Sequence, residues 1–300
     1  MQNKKIKEKE FKLLPNSGIL STPVYKGGEQ PDLSKHEIIK LNSNENPLGP
    51  SKLATDALKN SFEFINNYPS SSHEKLRKAI AKVHAINFEN IICGAGSDEL
   101  ISFICQCFCS TNDEVIYTEH GFAMYKISAL LRGANPVKVL ENERVADVDN
   151  ILKSCNNKTK IIFLANPNNP TGTFLDSSKI KYLLDNLPDT VLMVIDGAYA
   201  EYIENFDGGL SFVENYDNLI ILRTFSKIYG LAALRIGWSY SSNSITQILN
   251  RVRGPFNVSS PAIAAATAAV LDCDYTRHCV AENLRNREWL SKQFKQLGLS

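Results

Sequence analysis

Four short stretches of this chain hold residue types that could do chemistry together. Lys227 lies in RTFSKIYGLAALRIGW at 223–238, just past an apolar run and flanked by Phe225, Ile228 and Leu231. A lysine in such surroundings tends to a lowered pKa, the state an amine needs to form a Schiff base with an aldehyde. Alone, such a lysine is more often a surface residue whose stem lies on apolar neighbours. Ser226 and Arg235 bracket it with a hydroxyl and a fork-shaped cation, both suited to a phosphate. Asp196 closes the apolar run VLMVI and stands three residues before Tyr199. A carboxylate at that depth is costly unless it meets a cation or a donor, and a pyridinium nitrogen would serve; a helix cap is the plainer alternative. The string NPNNPTG at 166–172 fixes a rigid loop that presents Asn168 and Asn169, whose amides can donate to a phenolate oxygen. Ordinary turn chemistry would also explain its two Asn–Pro steps. GAGSDEL, from Gly94, opens a helix with Ser97 and Asp98, and a helix N-terminus with free N–H groups is a ready anion site as well as a simple cap. Together they supply a lysine for an aldehyde, a carboxylate for a ring nitrogen, an asparagine and a tyrosine for a ring oxygen, and a Ser, an Arg and a helix N-terminus for a phosphate. That inventory matches pyridoxal 5'-phosphate.

Each of these stretches follows an apolar, β-branched run: NIIC at 90–93, KIIFLA at 160–165, VLMVI at 191–195 and NLIILRTF at 218–225, with EVIY at 114–117 as a fifth. Helix-like segments at 98–108, 122–132 and 176–186 fall between them. Apolar strands alternating with helices predict an α/β fold, a mainly parallel central sheet flanked by helices. Ligands of such sheets bind at the carboxyl ends of the strands, which is where all four stretches lie. Residues 1–45 are rich in charge, Pro and Gly (Gly27, Gly28 and Pro31 among them) and are expected to form an arm; 46–250 form the large domain, and 251–300 begin a smaller one with a long helix.

The chain's 33 Lys and Arg against 32 Asp and Glu leave a net charge of +1, too little for a nucleic-acid footprint. No apolar run approaches the ~20 residues of a membrane span, and the charged MQNKKIKEKE start lacks a signal-peptide core. The seven cysteines read as buried free thiols of a reducing cytoplasm rather than a metal site. Cys105 and Cys109 share a helix face, with no histidine at a zinc spacing. His73 and His84 are expected on a surface helix and His120 in a strand-to-helix turn, none of them a ligand.

LNSNENPLGPS at 41–51, NNYPSSSHEKLRKAIA at 66–81, GAGSDELI, HGFAMY at 120–125, NPNNPTG and RTFSKIYGLAALRIGW carry a resemblance. The chain is similar to fold-type I, class I/II-like aminotransferases, and among them to the histidinol-phosphate aminotransferases. The resemblance implies Lys227 as the Schiff-base lysine and proton shuttle, Asp196 on the ring nitrogen, and Asn169 and Tyr199 on the ring hydroxyl. It implies Phe122 stacked on the ring, and Ser97, Asp98, Ser226 and Arg235 on the phosphate. It also implies Tyr68 reaching the phosphate of the neighbouring subunit's cofactor, hence a homodimer. The implied reaction is amino transfer between glutamate and imidazole-acetol phosphate in histidine biosynthesis. An aromatic aminotransferase and a threonine-phosphate decarboxylase are the related alternatives. Three departures stand out: DGAY at 196–199 where the family usually has D-E-A-Y, TPVYKGG at 22–28 where it tends to P-Y-x-P-G, and no segment after Ser300 supplying an arginine for the substrate carboxylate. The last raises a non-catalytic cofactor-binding remnant as a further expectation to test.

Overall fold

A computed structural model of the chain describes residues 14–25 and 39–299, to which all structural statements refer. Gly27, Gly28 and Pro31 of the expected arm lie outside them; residues 17–22 form turns. In chain order the elements are α1 (Lys52–Ser61), α2 (Glu74–His84), β1 (Ile91–Gly94), α3 (Ser97–Phe108), β2 (Glu114–Thr118), α4 (Ala123–Leu131), β3 (Asn135–Val139), α5 (Val148–Ser154), β4 (Thr159–Ala165), α6 (Ser177–Asp185), β5 (Leu192–Asp196), β6 (Leu219–Thr224), β7 (Gly237–Ser241), α7 (Asn243–Val252), α8 (Ser260–Leu271) and α9 (Cys273–Gln296).

The strands form one sheet in the order β1-β7-β6-β5-β4-β2-β3. β3, β2, β4, β5 and β6 are parallel, and β7 pairs antiparallel with both β6 and β1. Two reversals cancel, so β1 runs in the same direction as β6. The carboxyl ends of β1, β4, β5 and β6 therefore meet at one edge of the sheet.

Successive strand residues serve opposite faces, as the period of two requires. Ile162, Leu164, Met193, Ile195 and Ile221 pack with Leu76 and Ile80 of α2, Leu183 of α6 and Ala265 of α8. Ile161, Phe163, Val194, Ile220 and Leu222 pack with Leu100 and Ile104 of α3, Tyr125 of α4 and Leu249 of α7. Burial on both sides explains why these runs are continuously apolar. Each fully buried Ile or Leu contributes on the order of 2 kcal/mol.

The expected five strands and three helices are present, joined by two strands the apolar runs did not announce. β3 begins with Asn135 and Pro136 on the sheet's edge, where a missing N–H is tolerated. β7 reads GWSYS, and its serines are buried at 1% exposure. The surface helix expected to carry His73 and His84 is instead wedged between α8 and the sheet. His73 is 2% exposed in a left-handed N-cap, and His84 packs 5.3 Å from the Trp238 ring. Burial holds their pKa values down to about 4 and about 3 respectively. The alanines of α8 (Ala262, Ala265, Ala266, Ala269) let it lie against α1 and α2, while α9 leads away with only Cys279 buried. All seven cysteines are free, and Cys109 Sγ donates to the Cys105 carbonyl at 3.1 Å.

Candidate active site

A cavity of about 220 Å³ opens where the four strand ends meet. Its lining includes Ser97, Asp98, Phe122, Asn169, Asp196, Tyr199, Ser226, Lys227 and Arg235. Every site residue expected from the sequence lies there except Tyr68. That side chain is 82% exposed on the loop after α1, with its ring stacked 4.6 Å from Phe256.

Lys227 projects from the loop after β6, and its Nζ donates to the Ser43 carbonyl at 2.8 Å. It also sits 5.7 Å above the Tyr199 ring. Burial lowers its pKa, against the pull of Glu45, Asp98 and Asp196. A neutral amine is what attack on a carbonyl carbon requires.

Asp196 ends β5 at 5% exposure. Its Oδ2 accepts from the Tyr125 hydroxyl at 2.7 Å, and its Oδ1 from the Ala198 N–H at 3.1 Å. Among the described residues no cation forms an ion pair with it. Burial raises its pKa to about 6, and the two hydrogen bonds offset part of that rise. An acid left buried and unpaired at a cavity wall fits a cationic ligand atom.

The opposite end of the cavity is arranged for an anion. α3 starts after Gly96 without any side-chain cap, so its first N–H groups lack intrahelical partners. Gly96 has φ +83°, and a Cβ there would lie 2.3 Å from Arg235 Nη2. On the other side, a Cβ on Gly237 would fall 2.7 Å from the Ser97 nitrogen. The two glycines let the guanidinium and the sheet close on the helix end. Arg235 donates to Ser226 Oγ at 3.2 Å and to Asp98 Oδ2 at 3.2 Å. The Asp98 carboxylate is thus taken up by Arg235, and what Asp98 offers an anion is its backbone at the helix start.

In NPNNPTG, both Asn–Pro bonds are cis, and only one asparagine faces the cavity. Asn168 turns inward at 8% exposure and donates to Thr171 Oγ1 at 2.9 Å, leaving Asn169 at the wall. Phe122 stands at the N-cap of α4, its ring edge-on to Tyr125 at 5.8 Å.

Sequence reasoning counted LNSNENPLGPS and HGFAMY among the motifs of the resemblance but gave no role to Tyr125 or to the segment at 43–49. Ser43 and Glu45 line the cavity, and the Asn44 amide donates to the Tyr199 hydroxyl at 3.0 Å. Asn46 ties the segment down through the Ile228 carbonyl at 2.7 Å. The signal for Tyr125 was its place three residues after Phe122, one helical turn along; for the segment it was the dense string NSNEN. A second cavity of about 380 Å³ shares Glu45, Pro167, Asn169 and Tyr199 with the first, and Asn283 and Arg287 of α9 line it. Among the described residues no group of His, Cys, Asp and Glu could hold a metal ion.

Residues 36–299 match the sequence profile described as "Aminotransferase class I and II". The chain belongs to this family. Within the class I and II aminotransferases, it is 51% identical over 287 residues to the histidinol-phosphate aminotransferase of Ruegeria sp. (strain TM1040), covering 96% of this chain and 79% of that one. The histidinol-phosphate aminotransferase of Dinoroseobacter shibae is also 51% identical, over 96% of this chain and 80% of its own. Among solved aminotransferase structures, the histidinol-phosphate aminotransferase of Sinorhizobium meliloti in complex with pyridoxal-5'-phosphate superposes with a TM-score of 0.82 at 26% identity, over 85% of this chain and 70% of that one. The fold is that of the fold-type I aminotransferases.

Proposed function

We propose that this chain is a pyridoxal-phosphate-dependent histidinol-phosphate aminotransferase, exchanging an amino group between glutamate and imidazole-acetol phosphate in histidine biosynthesis. One observation carries the reading: four strand-end loops bring a half-buried lysine, an unpaired buried carboxylate and an uncapped helix N-terminus with an arginine into one cavity. The names borne by relatives at about half identity give the substrate.

The residues fit the cofactor at each of its functional groups. Lys227 would hold its aldehyde, Asp196 its ring nitrogen, and Asn169 and Tyr199 its ring oxygen. Phe122 would cover one ring face, and Ser97, Asp98, Ser226 and Arg235 would hold the phosphate. When bound, pyridoxal phosphate supplies an aldehyde for the amine and an electron-accepting ring. Asp196 keeps a proton on the ring nitrogen by presenting a negative charge in a dry site. The free Lys227 amine would be the base that takes the proton from the substrate Cα and, once protonated, the acid that gives it back within the site. The Ser43 carbonyl gives the free amine a resting partner. The Asn44 amide holds the Tyr199 hydroxyl in place from outside.

The same reading takes small amino and oxo acids as substrates and a homodimer as the working unit, in the cytoplasm. Among the described residues no helix is long and apolar enough to cross a membrane. Phe62, Phe64 and Ile65 are each more than half exposed beside Tyr68, an apolar strip suited to a partner subunit. Residues 1–45 would be the arm, 46–250 the large domain, and 251–300 the start of a small one seated on α1 and α2 through α8.

Steady-state assays of the purified chain loaded with pyridoxal phosphate test the proposal. Histidinol phosphate is expected to give the highest kcat/KM, against phenylalanine and threonine phosphate. Lys227→Ala is expected to lose both turnover and the visible band of the bound cofactor. Turnover of only the other two substrates would replace the proposed activity with one of its relatives. A cofactor band without any amino transfer from glutamate would make the chain a binding remnant.

A further inference from the structure

Tyr125 touches the deepest acid of the cavity, yet no step above uses it. It lies on α4, 1% exposed, and its hydroxyl donates to Asp196 Oδ2 at 2.7 Å. Its ring lies flat on Phe163 of β4, with centroids 4.7 Å apart and planes inclined by 2°. Phe122 packs edge-on against it from the cavity side. With Oδ1 on the Ala198 N–H, each carboxylate oxygen carries one fixed hydrogen bond. Each also keeps acceptor capacity for whatever enters the cavity.

We propose that Tyr125 is a positioning residue: its hydroxyl locks the plane of the Asp196 carboxylate and aims it at the ring nitrogen of bound pyridoxal phosphate. The proposal rests on the reading of this cavity as a pyridoxal phosphate site. A carboxylate turns easily about its last torsion, whose energy wells are broad. The Ala198 N–H alone leaves that torsion free, and a second tie on the other oxygen fixes it. The tie can be firm because Tyr125 itself cannot swing, held between Phe163 and Phe122. Burial and the facing carboxylate push the Tyr125 phenol well above its ordinary range, so it stays a donor. Asp98, Lys227 and Tyr199 are the other titratable groups facing Asp196, the first raising and the second lowering its pKa.

Tyr125→Phe removes the hydroxyl and keeps the ring, its volume and its stack. The cofactor-free chain would be titrated with pyridoxal phosphate, following the visible band, its pH midpoint and the melting temperature. The expected result is a rise in Kd of about tenfold, the factor one hydrogen bond to a charged group is worth, with a moved pH midpoint. In an Asp196→Asn background the same substitution is expected to change Kd by no more than about twofold. Phe163→Leu keeps the hydroxyl but loosens the ring, and is expected to weaken binding by a smaller factor. Wild-type affinity and spectrum in both Tyr125→Phe and Phe163→Leu would overturn the proposal. So would a full tenfold loss that recurs in the Asp196→Asn background, because the ring would then act by packing alone. A wild-type chain that takes up no cofactor would instead overturn the reading of the cavity, before any substitution is made.

Discussion

At the scale of single residues, the site is built on buried charge that the fold leaves incompletely answered. Asp196 without a cation has its pKa raised to about 6. A raised acid pKa stabilises the folded chain below the unfolded value, and that stability is lost as pH rises from near 4 through 6. A two-unit rise is worth on the order of 3 kcal/mol. The cofactor-free Asp196→Asn chain is therefore expected to melt higher than wild type at pH 8, by several degrees, in a thermal scan. The same substitution is expected to slow the half-reaction with substrate by orders of magnitude, since a neutral ring is a poor electron sink. Near-normal turnover would remove Asp196 from its role. Just behind it, Arg223 Nε and Glu201 Oε1 lie 3.3 Å apart at 3% and 8% exposure, close enough to attract but not aligned as a hydrogen bond. Arg223 fills the space beside Gly197, where a Cβ would sit 3.1 Å from its Cδ. Gly197 thus borders a buried ion pair. Removing one partner leaves the other charge stranded, so Glu201→Gln is expected to cost about 3–5 kcal/mol in denaturant unfolding. An unchanged midpoint would mean that water reaches the arginine.

At the scale of elements, the pH response belongs to α2. His73 and His84 are neutral when folded because burial lowers their pKa values to about 4 and about 3. The unfolded chain protonates them near pH 6.5, so the stability they confer is complete above that and is lost as pH falls toward 4. His84→Leu is expected to flatten the acid-side fall in melting temperature, measured between pH 7 and 5; an unaltered slope would assign the fall to other groups. Neither burial was legible from the sequence, because the neighbours that cover them are distant in the chain: α8 lies beside His73 and Trp238 of β7 packs on His84. The core strands β2, β4, β5 and β6 were legible, since burial on both faces leaves an unbroken apolar run. β7 was not, because its serines are buried by neighbours far away in sequence rather than by their own polarity. The same division holds in the site. Asp196 ends β5, Lys227 follows β6 closely and Arg235 stands just before β7, places where residue type and position suffice. Tyr125 and Ser43 reach the cavity only through packing and chain reversal, which no local pattern records.

At the scale of the whole molecule, the proposed homodimer would bury the exposed strip from Phe62 to Tyr68. Replacing Phe64 and Ile65 together by serine is expected to shift the chain from dimer to monomer in sedimentation, with weaker cofactor retention. Tyr68→Phe is expected to weaken retention in a way that mixed dimers with an intact Tyr68 repair; equal loss in pure and mixed dimers would argue against a shared site. The insertion of β7 between β1 and β6 has its own consequence. Among the described residues β1 pairs with β7 alone, Ile91 opposite Tyr240, so the first strand made is seated by the last. Pairings that distant in sequence form late, since the long loop must close before they reward it. During synthesis, β1 and the uncapped start of α3 therefore wait until Gly237–Ser241 has left the ribosome. The end of the cavity proposed to bind the phosphate is then completed only after every strand of the sheet has been made, and α8 still has to close over α1 and α2 behind it.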